Sequence, residues 1–348
     1  MFLLFNIDTC LKKNDKIILE IFILMKNVLV TGGTGFIGSH LCETLVESGY
    51  NVTAYDQYNS NNNWNWLENS SKKKDIQVIL GDVRDSYHLK KYIKKNNIVF
   101  HLAALIGIPY SYENPSAYID TNVKGTLNVL NACRDQDISD IIITSTSEVY
   151  GKAKYDKIDE NHPLEALSPY AASKISQDQL SLSFHKSFQS PVKLIRPFNV
   201  FGPRQSSRAI IPAIISQILN KNERIVVGNV HPKRDFTFVN DTCEAFVQVL
   251  KSKELYGEVV NVGNNQSISI EDLIPKIQLI LGSELEINVQ NTRVRVATSE
   301  VDHLHCNNEK ILKTTDWKPE VNLTDGLIKT VDWMKKNINL YKTEIYNV

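Results

Sequence analysis

The sequence predicts a doubly wound α/β fold of the Rossmann type: a parallel sheet covered on both faces, with a smaller mixed lobe at its C-terminal edge. Three observations predict it. Short β-branched runs alternate with helical stretches after Met25. The spacing Gly32-x-x-Gly35-x-x-Gly38 falls between the first run and the first helix, and Asp56 closes the second run about twenty residues on. Near-continuous apolar strands alternating with helices are the mark of strands buried on both faces.

The expected strands are Lys26–Thr31, Asn51–Asp56, Ile76–Leu80, Ile98–Leu102, Asp140–Thr144 and Pro191–Arg196. Helices are expected at Phe36–Gly49, Ser86–Asn96, Pro115–Gln136 and Ser168–Ser187. After Phe201 the alternation weakens, and Pro203, Pro212, Pro232 and Pro319 punctuate shorter elements. This divides the chain into an extension at 1–24, a dinucleotide-binding domain at 25–200 and a lobe at 201–348 that mostly binds substrate. A segment near 236–262 is expected to return to the first domain. Asn59–Trp66 (NSNNNWNW) reads as a solvated loop.

Composition narrows the partners. The chain has 348 residues, with 39 basic and 39 acidic side chains, so no net field favours nucleic acid or an anionic membrane. Cys10, Cys42, Cys133, Cys243 and Cys306 are scattered, with no CxxC pair and no Cys/His cluster, so buried thiols in a reducing cytoplasm are expected and no metal. Ile17–Met25 is apolar but short, and Glu20 interrupts it; it resembles neither a signal peptide nor a membrane span. The first strand follows Met25 directly, so residues 1–24 are expected to lie outside the fold.

The glycine triplet permits a tight turn, close approach to a pyrophosphate and close helix packing, with helix N–H groups facing the anion. The Asp56 carboxylate can accept from both ribose hydroxyls and would repel a 2′-phosphate, so NAD is favoured over NADP. Asp82 and Val83 after the third strand suit the adenine border. Ala103 and Ala104 after the fourth let the cofactor lie close.

Ser168-Pro169 is a helix start, with serine as cap and proline at the first position. Tyr170 and Lys174 then lie one turn apart on one face. A lysine there, beside an oxidised nicotinamide, is expected to lower the tyrosine pKa from about 10 toward neutrality. Thr144-Ser145-Thr146-Ser147-Glu148 ends the preceding strand, and Glu148 adds a carboxylate that plain alcohol oxidation does not need.

Ordered motifs now carry a resemblance: TGGTGFIGSH, GDVRD, FHLAAL, TNVKGTLNVL, TSTSEVYG, SPYAASK, RPFNVFGPRQ and KRDFTFV. From about Lys26 to Lys336 the chain resembles the extended short-chain dehydrogenase/reductases that act on nucleotide sugars. The resemblance implies that Thr146, Tyr170 and Lys174 drive hydride transfer at sugar C4. It adds Phe36, Ile37 and Asn122 to the cofactor contacts. It implies substrate contacts from Ser147, Asn199, Arg204, Arg234 and Arg295, the arginines suiting a diphosphate because a planar fork pairs two oxygens at once.

Within that family the Thr-Ser-Glu pattern at 146–148 resembles GDP-mannose 4,6-dehydratases and UDP-glucuronate decarboxylases. The position of Glu148 is typically not acidic in 4-epimerases. The stretches YDQYNSNNNWNWLE and AALIGIPYSYENPSAYIDTNVKGTLNVL resemble the 4,6-dehydratases of the legionaminic acid pathway. The implied activity is 4,6-dehydration of a UDP- or GDP-linked sugar such as N-acetylglucosamine by a cytoplasmic homodimer that pairs 115–136 and 168–187 across a two-fold axis. A 4-epimerase, a decarboxylase served by Arg204 or Arg208, and a non-catalytic NAD sensor are the competing readings.

Overall fold

The computed structural model describes residues 26–290 and 300–341. In the first half, β1 (Asn27–Thr31), α1 (Phe36–Glu47), β2 (Asn51–Gln57), β3 (Ile76–Gly81), α2 (Ser86–Ile93) and β4 (Ile98–His101) alternate. Short helices α3 (Ile108–Glu113) and α4 (Pro115–Tyr118) precede α5 (Gly125–Arg134), β5 (Asp140–Thr144), α6 (Pro169–Phe188), β6 (Val192–Pro197) and β7 (Asn199–Phe201). The second half holds α7 (Ile210–Leu219), β8 (Arg224–Val227), β9 (Lys233–Phe238), α8 (Val239–Lys251), β10 (Val259–Val262) and β11 (Ser267–Ser269). It closes with α9 (Ile270–Leu281), β12 (Glu286–Val289), β13 (His303–Leu304), α10 (Glu309–Thr314) and α11 (Leu323–Asn337).

Seven strands form one parallel sheet in the order β10-β6-β5-β4-β1-β2-β3. Alternation along β1 explains why both faces are covered. Val28 and Val30 enter one core with α1 and α8, while Leu29 enters another with α2, α5 and α6. The chain order reverses between β1 and β4, so their following loops diverge and leave a crevice at the strands' C-terminal ends.

β10 pairs with β6 at the sheet edge, so it completes the seven-stranded sheet although it follows β9 in sequence. The small lobe is built on β9, which pairs with β7, β11 and β13. A two-stranded β8–β12 ribbon flanks it.

Two local expectations need correction. The stretch 115–136 is not one helix: Ile119–Lys124 is a π-helical turn between α4 and α5. Asn122, inside that turn, sends its side chain to the loop after β4, and this anchor accounts for the widened turn. Nor is the asparagine-rich stretch simply a solvated loop. Asn65–Asn69 forms a 3₁₀ turn, and Trp66 packs edge-on against Trp333 of α11 at 5.5 Å.

Candidate active site

The crevice holds a cavity of about 1180 Å³ between the sheet's C-terminal edge and the small lobe. Gly32, Gly35, Phe36, Ile37 and Gly38 line one end, with Asp56, Asp82, Val83, Ala103 and Ala104. Thr146, Ser147, Glu148, Tyr170 and Lys174 stand at its middle, and Asn199, Arg208, Arg234 and Glu300 line the lobe side.

The cofactor end is made of backbone. Gly32 has φ +71°, and a Cβ there would lie 2.8 Å from the Ala103 nitrogen, in the loop after β4. A Cβ on Gly38 would collide with the Gly32 carbonyl oxygen, so the turn closes only on glycine. Gly35 caps α1 with no side-chain acceptor, which leaves the first N–H groups of the helix for an anion. At the end of β2, Asp56 accepts from the Thr34 N–H at 2.7 Å and its hydroxyl at 2.6 Å, which ties the carboxylate to the turn. These features fit a dinucleotide. Asp82 is clasped by Arg84, whose guanidinium holds the carboxyl below its ordinary range. Below the crevice, buried His101 bridges the Thr31 and Thr126 hydroxyls at 2.8 and 2.9 Å.

The candidate catalytic groups come from two neighbouring elements. The Thr146 hydroxyl caps the 3₁₀ turn Ser147–Tyr150 by accepting from the Glu148 N–H at 3.2 Å, which sets Glu148 at the cavity wall. Ser168 caps α6 by accepting from the Ala171 N–H at 3.1 Å, so Tyr170 and Lys174 enter from its first two turns. Lys174 Nζ donates to the Thr144 carbonyl at 2.6 Å and to Gln177 Oε1 at 2.7 Å. Gln177, one turn further on α6, thus holds the lysine in place. It was missed in the sequence, although its i+3 spacing from Lys174 was visible.

In the chain alone, burial dominates the proton affinity of Tyr170. Burial pushes its phenol above the ordinary value; a Thr146 hydrogen bond pulls it back and the Glu148 charge adds to the rise. Burial also pushes Lys174 down to about 8, against the opposing pull of Asp178. The chain alone therefore keeps the phenol protonated, and Lys174 does not by itself bring it to neutrality.

Two further expectations change. Arg204 does not reach the cavity. Its guanidinium grips Glu43 of α1 at 2.9 and 3.0 Å and donates to Ser39, joining the loop after β7 to α1. The cation that lines the cavity there is Arg208, four residues on. Asn122 is not a cavity residue either; its amide exchanges hydrogen bonds with the Leu105 backbone and donates to Ser173, positioning the β4 loop against α6. Arg295 lies outside the described residues, as do residues 1–25. Arg234 does line the cavity, with Glu300 at 3.4 Å. Asn199 also lines it, and its buried Oδ1 has no hydrogen-bond partner among the described residues, as suits a group awaiting a ligand donor.

Cys42, Cys133, Cys243 and Cys306 are buried free thiols, and burial pushes the pKa of each one up. Among the described residues, no helix is long and apolar enough to cross a membrane.

A glycine-rich cradle thus opens onto a cluster of Thr146, Glu148, Tyr170 and Lys174, and comparison with known proteins shows the family. The profile of the GDP-mannose 4,6 dehydratase family matches residues 29–330. A putative UDP-glucose 4-epimerase of Methanocaldococcus jannaschii is 33% identical over 315 residues, covering 89% of this chain and 99% of that protein. The dTDP-D-glucose 4,6-dehydratase of Mus musculus is 33% identical over 324 residues, covering 91% of each. A UDP-glucuronic acid 4-epimerase from Bacillus cereus, crystallised with UDP-glucuronic acid and NAD, superposes with a TM-score of 0.81 at 31% identity, covering 89% of this chain and 99% of that one. The chain belongs to this family of nucleotide-sugar dehydratases and epimerases. The family's cofactor is NAD.

Proposed function

We propose that the protein is a nucleotide-sugar 4,6-dehydratase acting on a UDP- or GDP-linked sugar such as N-acetylglucosamine, as in the legionaminic acid pathway. The observation that carries this reading is Glu148, a carboxylate at the cavity wall two residues beyond Thr146 and close enough to Tyr170 for its charge to be felt there.

NAD+, held by the glycine turn at Gly32, Gly35 and Gly38 and by Asp56, would supply a hydride acceptor and later donor. The chain's own groups do the rest. Thr146 and Tyr170 hold the sugar C4 hydroxyl, and Tyr170 takes its proton as the hydride leaves C4. Lys174, fixed by Thr144 and Gln177, keeps a positive charge under the phenolate. The C4 ketone acidifies C5–H. Glu148 removes that proton, and hydroxide departs from C6 as water with a proton that Glu148 returns. The hydride then goes to C6 and a proton exchanged with solvent goes to C5, leaving a 4-keto-6-deoxy sugar. Arg234 and Asn199 are assigned to the diphosphate, and Ser147 to the sugar.

A 4-epimerase needs no acid at 148, because its keto intermediate only turns over; that is why the epimerase relatives do not decide the reaction. The test is incubation with UDP- and GDP-N-acetylglucosamine in heavy water. A 4-keto-6-deoxy product carrying deuterium at C5 is expected. Return of a C4-inverted sugar with no solvent deuterium would replace the dehydratase by an epimerase. The same reading includes a homodimer through α4–α5 and α6, where Ile119, Leu127 and Phe188 are exposed; a monomer mass by light scattering at micromolar concentration would remove that part.

A further inference from the structure

We propose that His303, His305 and Asp156 form a binding site for a divalent transition metal, Zn2+ first, on the small lobe outside the catalytic cavity. The three residues each offer one ligand atom, and these atoms lie within 4.8 Å of one another. Asp156 Oδ1 stands 3.9 Å from His303 Nδ1 and 3.5 Å from His305 Nδ1. Ligand atoms around a tetrahedral zinc are roughly 3.3 Å apart, given bonds of about 2.0–2.1 Å. The set therefore needs to close by at most about 1.5 Å, and Asp156 is exposed enough to swing.

Backbone geometry builds this arrangement. Strand alternation sends Leu304 and Cys306 into a buried cluster and puts the two histidines on the opposite face. The loop carrying Asp156 is zipped alongside by two hydrogen bonds: Ile158 N–H to the His305 carbonyl at 2.8 Å and Asn307 N–H to the Ile158 carbonyl at 2.9 Å. His303 Nε2 faces the Ser267 hydroxyl at 3.2 Å, the outer contact that orients a ligating imidazole and leaves Nδ1 for the ion. Two imidazoles and one carboxylate suit zinc, cobalt or nickel better than magnesium or calcium, with water at the remaining position.

The sequence holds no CxxC pair, but the spacing His303-x-His305 puts two imidazoles on one side of an extended segment. The ion would clamp the segment between Glu148 and Tyr170 to the strand that follows Glu300. It is a structural clamp, independent of whether the reaction is dehydration or epimerisation.

The test uses the untagged full chain, stripped with chelator, titrated with Zn2+ by calorimetry and with Co2+ by visible absorption. One ion per chain, a Zn2+-dependent rise in Tm and slower amide exchange over residues 151–162 are expected. His303→Asn and His305→Asn should each weaken binding at least tenfold, and Ser267→Ala severalfold, while NAD binding shows that each variant is folded. No saturable binding below 100 micromolar (on the order of the weakest useful site), or unchanged binding in the His303→Asn/His305→Asn double variant, overturns the proposal.

Discussion

The two ends of the cavity are built from different material. The cofactor end is backbone: a turn that closes only on Gly32 and Gly38, and an uncapped helix start at Gly35. The opposite end is long side chains brought in from separate elements, with Arg234 set against Glu300 and Asn199 offering an oxygen without a partner among the described residues. A backbone cradle tolerates no added atom but needs no particular side chain. A side-chain wall tolerates change in shape, yet each charge has a specific partner whose loss is felt. Variants at the two ends should therefore fail in different ways.

The largest effect belongs between them. Glu148→Gln keeps shape and hydrogen-bonding capacity, so NAD and substrate should still bind. Loss of both proton roles should add about 3–5 kcal/mol to the barrier, seen as absent 4-keto-6-deoxy product with a small NADH absorbance. Normal turnover with deuterium at C5 would move the base elsewhere.

At the cofactor end, His101 makes stability acid-sensitive. Burial pushes its pKa from 6.5 down to about 3. The unfolded chain thus takes up the proton first, so stability falls as pH drops below 6.5 and keeps falling to about 3. By pH 4.5 the loss should be about 3 kcal/mol. Denaturant midpoints between pH 7 and 4.5 check this, and His101→Gln should flatten that acid limb.

Gly38→Ala should cost about 1–3 kcal/mol of stability, since its Cβ has no space beside the Gly32 carbonyl. Calorimetry should find NAD affinity lost while any residual nucleotide-sugar binding survives. Equal loss of both would mean that the two ends are one cooperative unit.

At the substrate end the paired test is Arg234→Met against Arg204→Met. The first should raise KM on the order of tenfold or more, as expected for one charged hydrogen bond of about 1.5–3 kcal/mol. The second should leave KM nearly unchanged and instead lower Tm, because Arg204 braces Glu43 and Ser39. A KM rise for Arg204→Met would return that residue to the substrate.

What was legible in the sequence is what short-range pattern encodes. The strands at 27–31, 51–57 and 140–144, the glycine turn, the Ser168-Pro169 helix start and the one-turn spacing of Tyr170 and Lys174 all follow from local periodicity and backbone sterics. The residues that fold without such a pattern were not legible. Arg204 and Arg208 differ by four positions in one loop, and only the packing of α1 against that loop shows which is tied to Glu43 and which lines the cavity. Asn122 reads as a cofactor contact until a π-helical turn aims it at Leu105. Tyr170's proton affinity depends on burial, a property of the whole fold. The sequence by itself determined the sheet, the turn and the one-turn spacing of Tyr170 and Lys174, because those depend on neighbours a few residues away. Tertiary structure decided which charges meet and which face the cavity, because side chains of residues far apart in sequence compete for the same partners.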